Sequence, residues 1–174
     1  AESEPGSGST FYFTIPWIQA ETDEDVLIEE GADASWGAYL AGKTILIAED
    51  DRINQRVITG LLHNRGIEGV AVATGLAAVE ELIRRSYSMV LMDIHMPEMD
   101  GLTATRRIRN PVSGVLNQSI PIVAVTAYTG EEERAACFDA GMDEFLPKPV
   151  ADDKLMWIIQ KLVPNFQPRI EPSG

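Results

Sequence analysis

Five short apolar runs, at 44–48, 69–73, 87–92, 120–125 and 143–146, alternate with segments whose apolar residues recur at helical spacing. That alternation constrains the chain more than any other feature. The helical segments fall at about 53–64, 75–85, 101–109, 130–140 and 151–162, with Val57, Leu61 and Leu62 or Leu155, Ile158, Ile159 and Leu162 marking one face. Runs of Val, Ile and Ala separated by amphipathic helices imply right-handed crossovers and a parallel sheet covered on both sides. The expected fold class is therefore α/β, a five-stranded doubly wound domain. Ligands of such sheets bind beyond the carboxyl ends of the strands, where strand order reverses.

Acids collect at those ends. Thr44-Ile45-Leu46-Ile47-Ala48 breaks into Glu49-Asp50-Asp51, and Tyr87-Ser88-Met89-Val90-Leu91-Met92 ends in Asp93. Neighbouring carboxylates raise one another's pKa, so a cluster persists only where a cation or a chemical purpose offsets the repulsion. Thr126 follows the fourth run and Lys148 the fifth, which adds a hydroxyl and an ammonium to the same rim. Carboxylates with a backbone carbonyl and water suit Mg²⁺, a small hard ion that prefers oxygen ligands. A carboxylate is also a competent nucleophile towards phosphorus, with Lys148 and Thr126 able to pair with phosphoryl oxygens. Simpler roles exist beside these. Asp50 or Asp51 could cap the first helix, Phe145 could be core, and His63 and His95 lack the companions that a zinc site needs.

Charge is unevenly spread. Of the 27 acids, nine lie within residues 1–42, a stretch without Lys or Arg, and most of the net charge of −13 belongs to that leader. The clustered Lys and Arg that draw phosphate backbones are absent, so nucleic acid is not an expected partner. No apolar run approaches a membrane span, and no charged segment with a following apolar stretch opens the chain. The lone Cys137 fits a reducing compartment and reads as a small helix filler. These features give a cytoplasmic expectation, with no direct membrane contact by this segment. Residues 1–16 combine turn chemistry at 3–9 with an aromatic strand candidate at 10–15, and a single strand cannot bury its own face. They read as the end of another domain, followed by an acidic linker at 17–42, the main domain at 43–163 and a tail at 164–174.

Four segments carry a family resemblance: Ile45-Leu46-Ile47-Ala48-Glu49-Asp50-Asp51-Arg52-Ile53-Asn54, Met89-Val90-Leu91-Met92-Asp93-Ile94-His95-Met96-Pro97-Glu98-Met99-Asp100-Gly101, Ala124-Val125-Thr126-Ala127, and Gly141-Met142-Asp143-Glu144-Phe145-Leu146-Pro147-Lys148-Pro149. In their order and spacing they resemble the receiver domains of two-component signalling, across roughly 43–163. The resemblance implies a flavodoxin-like sheet of order 2-1-3-4-5 and a phosphorelay function. Asp93 would accept phosphate from a phosphohistidine, with Glu49, Asp50, Asp93 and the His95 backbone carbonyl holding Mg²⁺. Thr126 and Phe145 would form the switch pair, reporting to the surface made by strand 143–146 and helices 130–140 and 151–162. A cis Lys148-Pro149 bond is implied too. Glu49 stands where the family more often has Asp, which keeps the charge and lengthens the arm. His95 and Tyr128, two residues past Asp93 and Thr126, are expected to tune the phosphate lifetime by their bulk.

Residues 3–16 resemble the closing hairpin strand of a histidine-kinase ATP-binding domain, which implies a hybrid histidine kinase as parent. The implied partner is a histidine kinase dimerisation domain or a histidine phosphotransfer protein, docking on the first helix near Asn54, Val57, Ile58 and Leu61. The fragment itself would be a phosphoacceptor with at most self-dephosphorylation. A stand-alone response regulator is one alternative, and an interaction module with a vestigial site is another. A phosphatase of haloacid dehalogenase type is a third, but that family needs a second acid where this chain has His95.

Overall fold

The computed structural model describes residues 2–4, 8–10, 43–127 and 130–163. The chain divides into two units, Ala1–Glu30 and Gly31–Gly174. In the first, β1 (Glu2–Glu4) pairs antiparallel with β2 (Gly8–Thr10), Glu2 opposite Thr10 and Glu4 opposite Gly8. Residues 3–9, expected to be turn and loop, thus contain parts of two strands. Glu-Ser-Glu and Gly-Ser-Thr carry no apolar alternation, so only the turn chemistry between them was legible. The strand expected at 10–15 falls, beyond Thr10, outside the described residues, as do the linker and the tail.

The second unit holds β3 (Thr44–Ala48), α1 (Arg52–Asn64), β4 (Glu68–Val72), α2 (Gly75–Arg84), β5 (Met89–Asp93), α3 (Gly101–Arg109), β6 (Ile122–Thr126), α4 (Glu131–Ala140), β7 (Glu144–Pro147) and α5 (Asp152–Leu162). Its five strands run parallel in the order β4-β3-β5-β6-β7. This is the doubly wound sheet that the alternation predicts, with the flavodoxin-like order 2-1-3-4-5 that the resemblance implies. Strand residues alternate between faces. Leu46, Val90, Met92, Ile122 and Ala124 pack with Val79 and Leu82 of α2, Ala104 and Ile108 of α3 and Cys137 of α4. Ile45, Ile47, Leu91, Val123 and Val125 pack on the other side with Ile58 and Leu62 of α1 and Leu155 and Ile159 of α5. Each face is closed by helices, which is why the central strands β5 and β6 are buried throughout.

Helix starts are set by local polar chemistry. Asp51 accepts hydrogen bonds from the backbone N–H groups of Ile53 (2.8 Å) and Asn54 (2.9 Å), Thr74 from Ala77 N (3.1 Å), and Asp100 from Thr103 N (2.7 Å). The Thr103 N–H holds the Asp100 carboxyl below its ordinary pKa. Gly141 closes α4 at φ 99°, the left-handed conformation that favours glycine.

Candidate phosphoryl-transfer site

The chain reverses its direction of winding between β3 and β5, since β3 is flanked by β4 on one side and β5 on the other. The crevice beyond that point receives Glu49 and Asp50, just past β3, and Asp93, the last residue of β5. Their carboxylate oxygens lie within 4.8 Å of one another, with Glu49 and Asp93 buried and Asp50 exposed. Two acids are thus nearly removed from water, at 1% and 4% exposure. Lys148 compensates them. Its Nζ donates to Asp93 Oδ2 at 2.7 Å and to Glu49 Oε1 at 3.0 Å. Burial pulls the ammonium's pKa down, but hydrogen bonds and attraction from Asp93 and Glu49 outweigh it and leave the value raised.

The donor set fits a hard divalent cation. Glu49 Oε2 lies 2.7 Å from Lys148 Nζ as part of the ion pair and has no other polar partner among the described residues. A buried carboxylate oxygen with lone pairs to spare, beside two further acids of which Asp50 is exposed, suits oxygen coordination. Glu49 is held in place from several directions. Its backbone N–H donates to Val72 O (3.0 Å), its carbonyl accepts from Gln55 Nε2 (2.6 Å), and Oε1 also accepts from Asn54 Nδ2 (3.0 Å). Asp93 Oδ1 accepts from the His95 backbone N–H at 3.2 Å. Asp51 is committed to the cap of α1, so between the two capping candidates only Asp50 joins the acidic group.

Thr126 is the last residue of β6 and is buried, and its carbonyl accepts from Lys148 N at 2.7 Å. Its hydroxyl donates to Glu133 Oε2 of α4 at 3.0 Å. The other oxygen of Glu133 is 3.8 Å from His95 Nε2, and the His95 ring is otherwise exposed. Phe145, in β7, is half-buried against the core, with the Arg134 guanidinium 4.4 Å from its ring centre. The Lys148-Pro149 peptide is cis. Tyr128 lies outside the described residues. Gln55, Glu133 and Arg134 were not singled out in the sequence; the only signal for Glu133 was a run of three glutamates opening a helix just after the Thr126 strand.

Known proteins bear on this arrangement. The family model for the response regulator receiver domain matches residues 45–160. The chain belongs to that family. The receiver domain of the sensor histidine kinase PA1611 from Pseudomonas aeruginosa PAO1, solved with a magnesium ion in its active-site cleft, is 38% identical, with a TM-score of 0.64 over 71% of this chain and 98% of that one. Among curated proteins, sensor protein GacS of Pseudomonas syringae is 37% identical over 117 residues, covering 67% of this chain and 13% of GacS. Hybrid signal transduction histidine kinase K of Dictyostelium discoideum is 33% identical over 174 aligned residues, 92% of this chain and 13% of the kinase. The receiver domain thus spans about a tenth of these curated relatives. Among its described residues, no helix is long and apolar enough to cross a membrane.

Proposed function

We propose that this receiver domain works in a phosphorelay, accepting a phosphoryl group from a phosphohistidine onto Asp93 with Mg²⁺ as cofactor. The reading is carried by one observation: Glu49, Asp50 and Asp93 converge within 4.8 Å under the Lys148 ammonium. Glu49, Asp50, Asp93 and the His95 carbonyl would hold Mg²⁺, which when bound neutralises charge on the incoming phosphoryl group. An Asp93 oxygen attacks phosphorus and forms the new O–P bond as the P–N bond breaks, and the electron pair of that bond stays on the departing imidazole. The product is an acyl phosphate. Lys148, already 2.7 Å from Asp93 Oδ2, pairs with one phosphoryl oxygen and the Thr126 hydroxyl donates to another. Thr126 and Phe145 then relay the change towards α4, β7 and α5, while His95 and Tyr128 restrict the water that ends the signal.

Incubation with acetyl phosphate and Mg²⁺ is expected to add one phosphoryl group by intact mass, and none to Asp93→Asn. Turnover of many equivalents of a small phosphoester would favour a phosphatase instead, and a wild-type chain left unlabelled by acetyl phosphate would defeat the proposal.

The parent is read as a hybrid sensor histidine kinase, supported by the names of the relatives and by the match to histidine kinase K across 92% of this chain, leader included. A phosphotransfer protein or the kinase's dimerisation domain would dock on α1. There the structure shifts the expected face: Ile58 is buried in the core, whereas Ile53 (72% exposed) and Val57 (49%) are outward. A groove of about 90 Å³ runs beside them between Asn54, Val57, Ile58, Lys148, Pro149 and Val150. Val57→Glu is expected to slow transfer from a phosphohistidine donor while acetyl phosphate still labels Asp93. Equal slowing of both reactions would remove α1 as the docking face.

A further inference from the structure

Two consecutive residues on the first turn of α4 each hold one member of the Thr126–Phe145 pair. Glu133 accepts the Thr126 hydroxyl at 3.0 Å, and Arg134 lies over the Phe145 ring at 4.4 Å. We propose that Glu133 and Arg134 are positioning residues forming a two-point latch that keeps the receiver in its resting state and opposes phosphorylation at Asp93. The inference rests on the phosphoacceptor reading above.

A hydroxyl has one proton to donate. While Thr126 gives it to Glu133, it cannot give it to a phosphoryl oxygen, so acylation of Asp93 must break a charge-assisted bond before Thr126 can engage. The Glu133 side chain is only 16% exposed, which keeps that bond from being weakened by water. The phosphoryl group is also an anion and repels the carboxylate that it replaces. Once Glu133 is released, the helical turn that carries it is free to shift, and Arg134 goes with it. The aromatic ring then loses its cation on that side, a contact of the kind that stabilises Phe in a fixed place at a half-buried site. Lys154 Nζ, 5.9 Å from the same ring, sits at the outer range of such contacts and does not replace Arg134. Gly130 supplies no side-chain cap to α4, whose first turn also carries the Arg134 N–H bond to Gly130 O (3.1 Å) and the 3.8 Å approach of His95 Nε2 to Glu133. Adjacency in the chain therefore couples the chemistry of the rim to the exposure of an aromatic residue.

Beryllofluoride with Mg²⁺, a phosphoryl mimic, is the probe, titrated by NMR into the whole chain. Glu133→Ala is expected to bind it about tenfold more tightly than wild type, the factor equivalent to one modest charge-assisted hydrogen bond. In a Thr126→Ala background the same substitution is expected to change affinity by less than about twofold, because the positioning residue then has nothing to hold. If Glu133→Ala does not fold, Glu133→Gln, a neutral acceptor, is expected to gain about threefold. No gain from either variant, or an equal gain without the Thr126 hydroxyl, overturns the latch, the latter leaving charge repulsion alone. Arg134→Ala is expected to move the free-state Phe145 ring resonances towards their beryllofluoride-bound positions, with Arg134→Lys restoring them in part; unmoved resonances overturn the second point. A wild-type chain that neither binds the mimic nor accepts phosphate from acetyl phosphate removes the phosphoacceptor reading and the latch together, a result distinct from labelled wild type with unaltered variants.

Discussion

At the head of α1 two adjacent aspartates have separate tasks. Asp51 turns back to accept from Ile53 and Asn54, while Asp50 brings a carboxylate oxygen within 4.8 Å of those of Glu49 and Asp93. Asp51→Ala is expected to cost about 1 kcal/mol in urea unfolding, the usual value of a lost cap, and to leave Mg²⁺ affinity nearly intact. Asp50→Asn should do the reverse, weakening Mg²⁺ in a fluorescence or calorimetric titration without lowering stability. Lys148 gives a pH test. Its pKa is raised in the folded state, so the stabilisation is full below the unfolded value of 10.5 and is lost as pH rises through the higher folded value. Wild type should therefore lose stability above about pH 10.5 more steeply than Lys148→Met, measured by chemical denaturation across that range. The site acids, Thr126 and Lys148 were legible because each ends or follows an apolar run. Glu133 was not, since three successive glutamates look alike until the helix is built and one of them faces the Thr126 hydroxyl.

Between elements, close approach and a single arginine fix the frame. A Cβ on Gly101 would stand 2.0 Å from Asp93 O, a contact no backbone tolerates, so α3 must begin with glycine to lie against the end of β5. Gly101→Ala is expected to destabilise by about 3 kcal/mol or more and to depress Asp93 labelling in the molecules that remain folded. Arg109, at the end of α3, donates to the carbonyls of Gly141, Gln118 and Ile120 and to Asp143 Oδ2, all at 2.6–2.8 Å. Burial lowers its pKa, and Asp143 resists that fall. Lysine cannot reproduce such a fork, so Arg109→Lys should lower the urea midpoint by the equivalent of about 2–4 kcal/mol while Mg²⁺ affinity holds. Most element positions followed from apolar periodicity, with ends displaced by one or two residues. Asp93 and Thr126, expected just past their strands, are the last residues of β5 and β6 and lie in register with Val125 and Pro147 of the next strand. Periodicity reports burial, whereas the ladder ends where carbonyls and N–H groups cease to face each other, and no side-chain pattern records that.

Across the whole molecule the chemistry is concentrated in one unit. Every candidate site residue falls between Glu49 and Lys148. A fragment of residues 43–163 is therefore expected to take up one phosphoryl group from acetyl phosphate at the rate of the full chain; a slower fragment would show that the leader acts on the site. The doubly wound architecture was readable because helices and strands alternate without interruption after Lys43. The β1–β2 pairing was not, because it depends on backbone partners and on no apolar pattern. The Lys148 bridge to Glu49 and Asp93 has a further consequence. Among the described residues, three carboxylates face one ammonium, so the site is short of two positive charges. Sodium would half-correct that imbalance and a trivalent ion would overshoot it. On charge balance alone, a divalent ion would suit the site before any coordination geometry is tried.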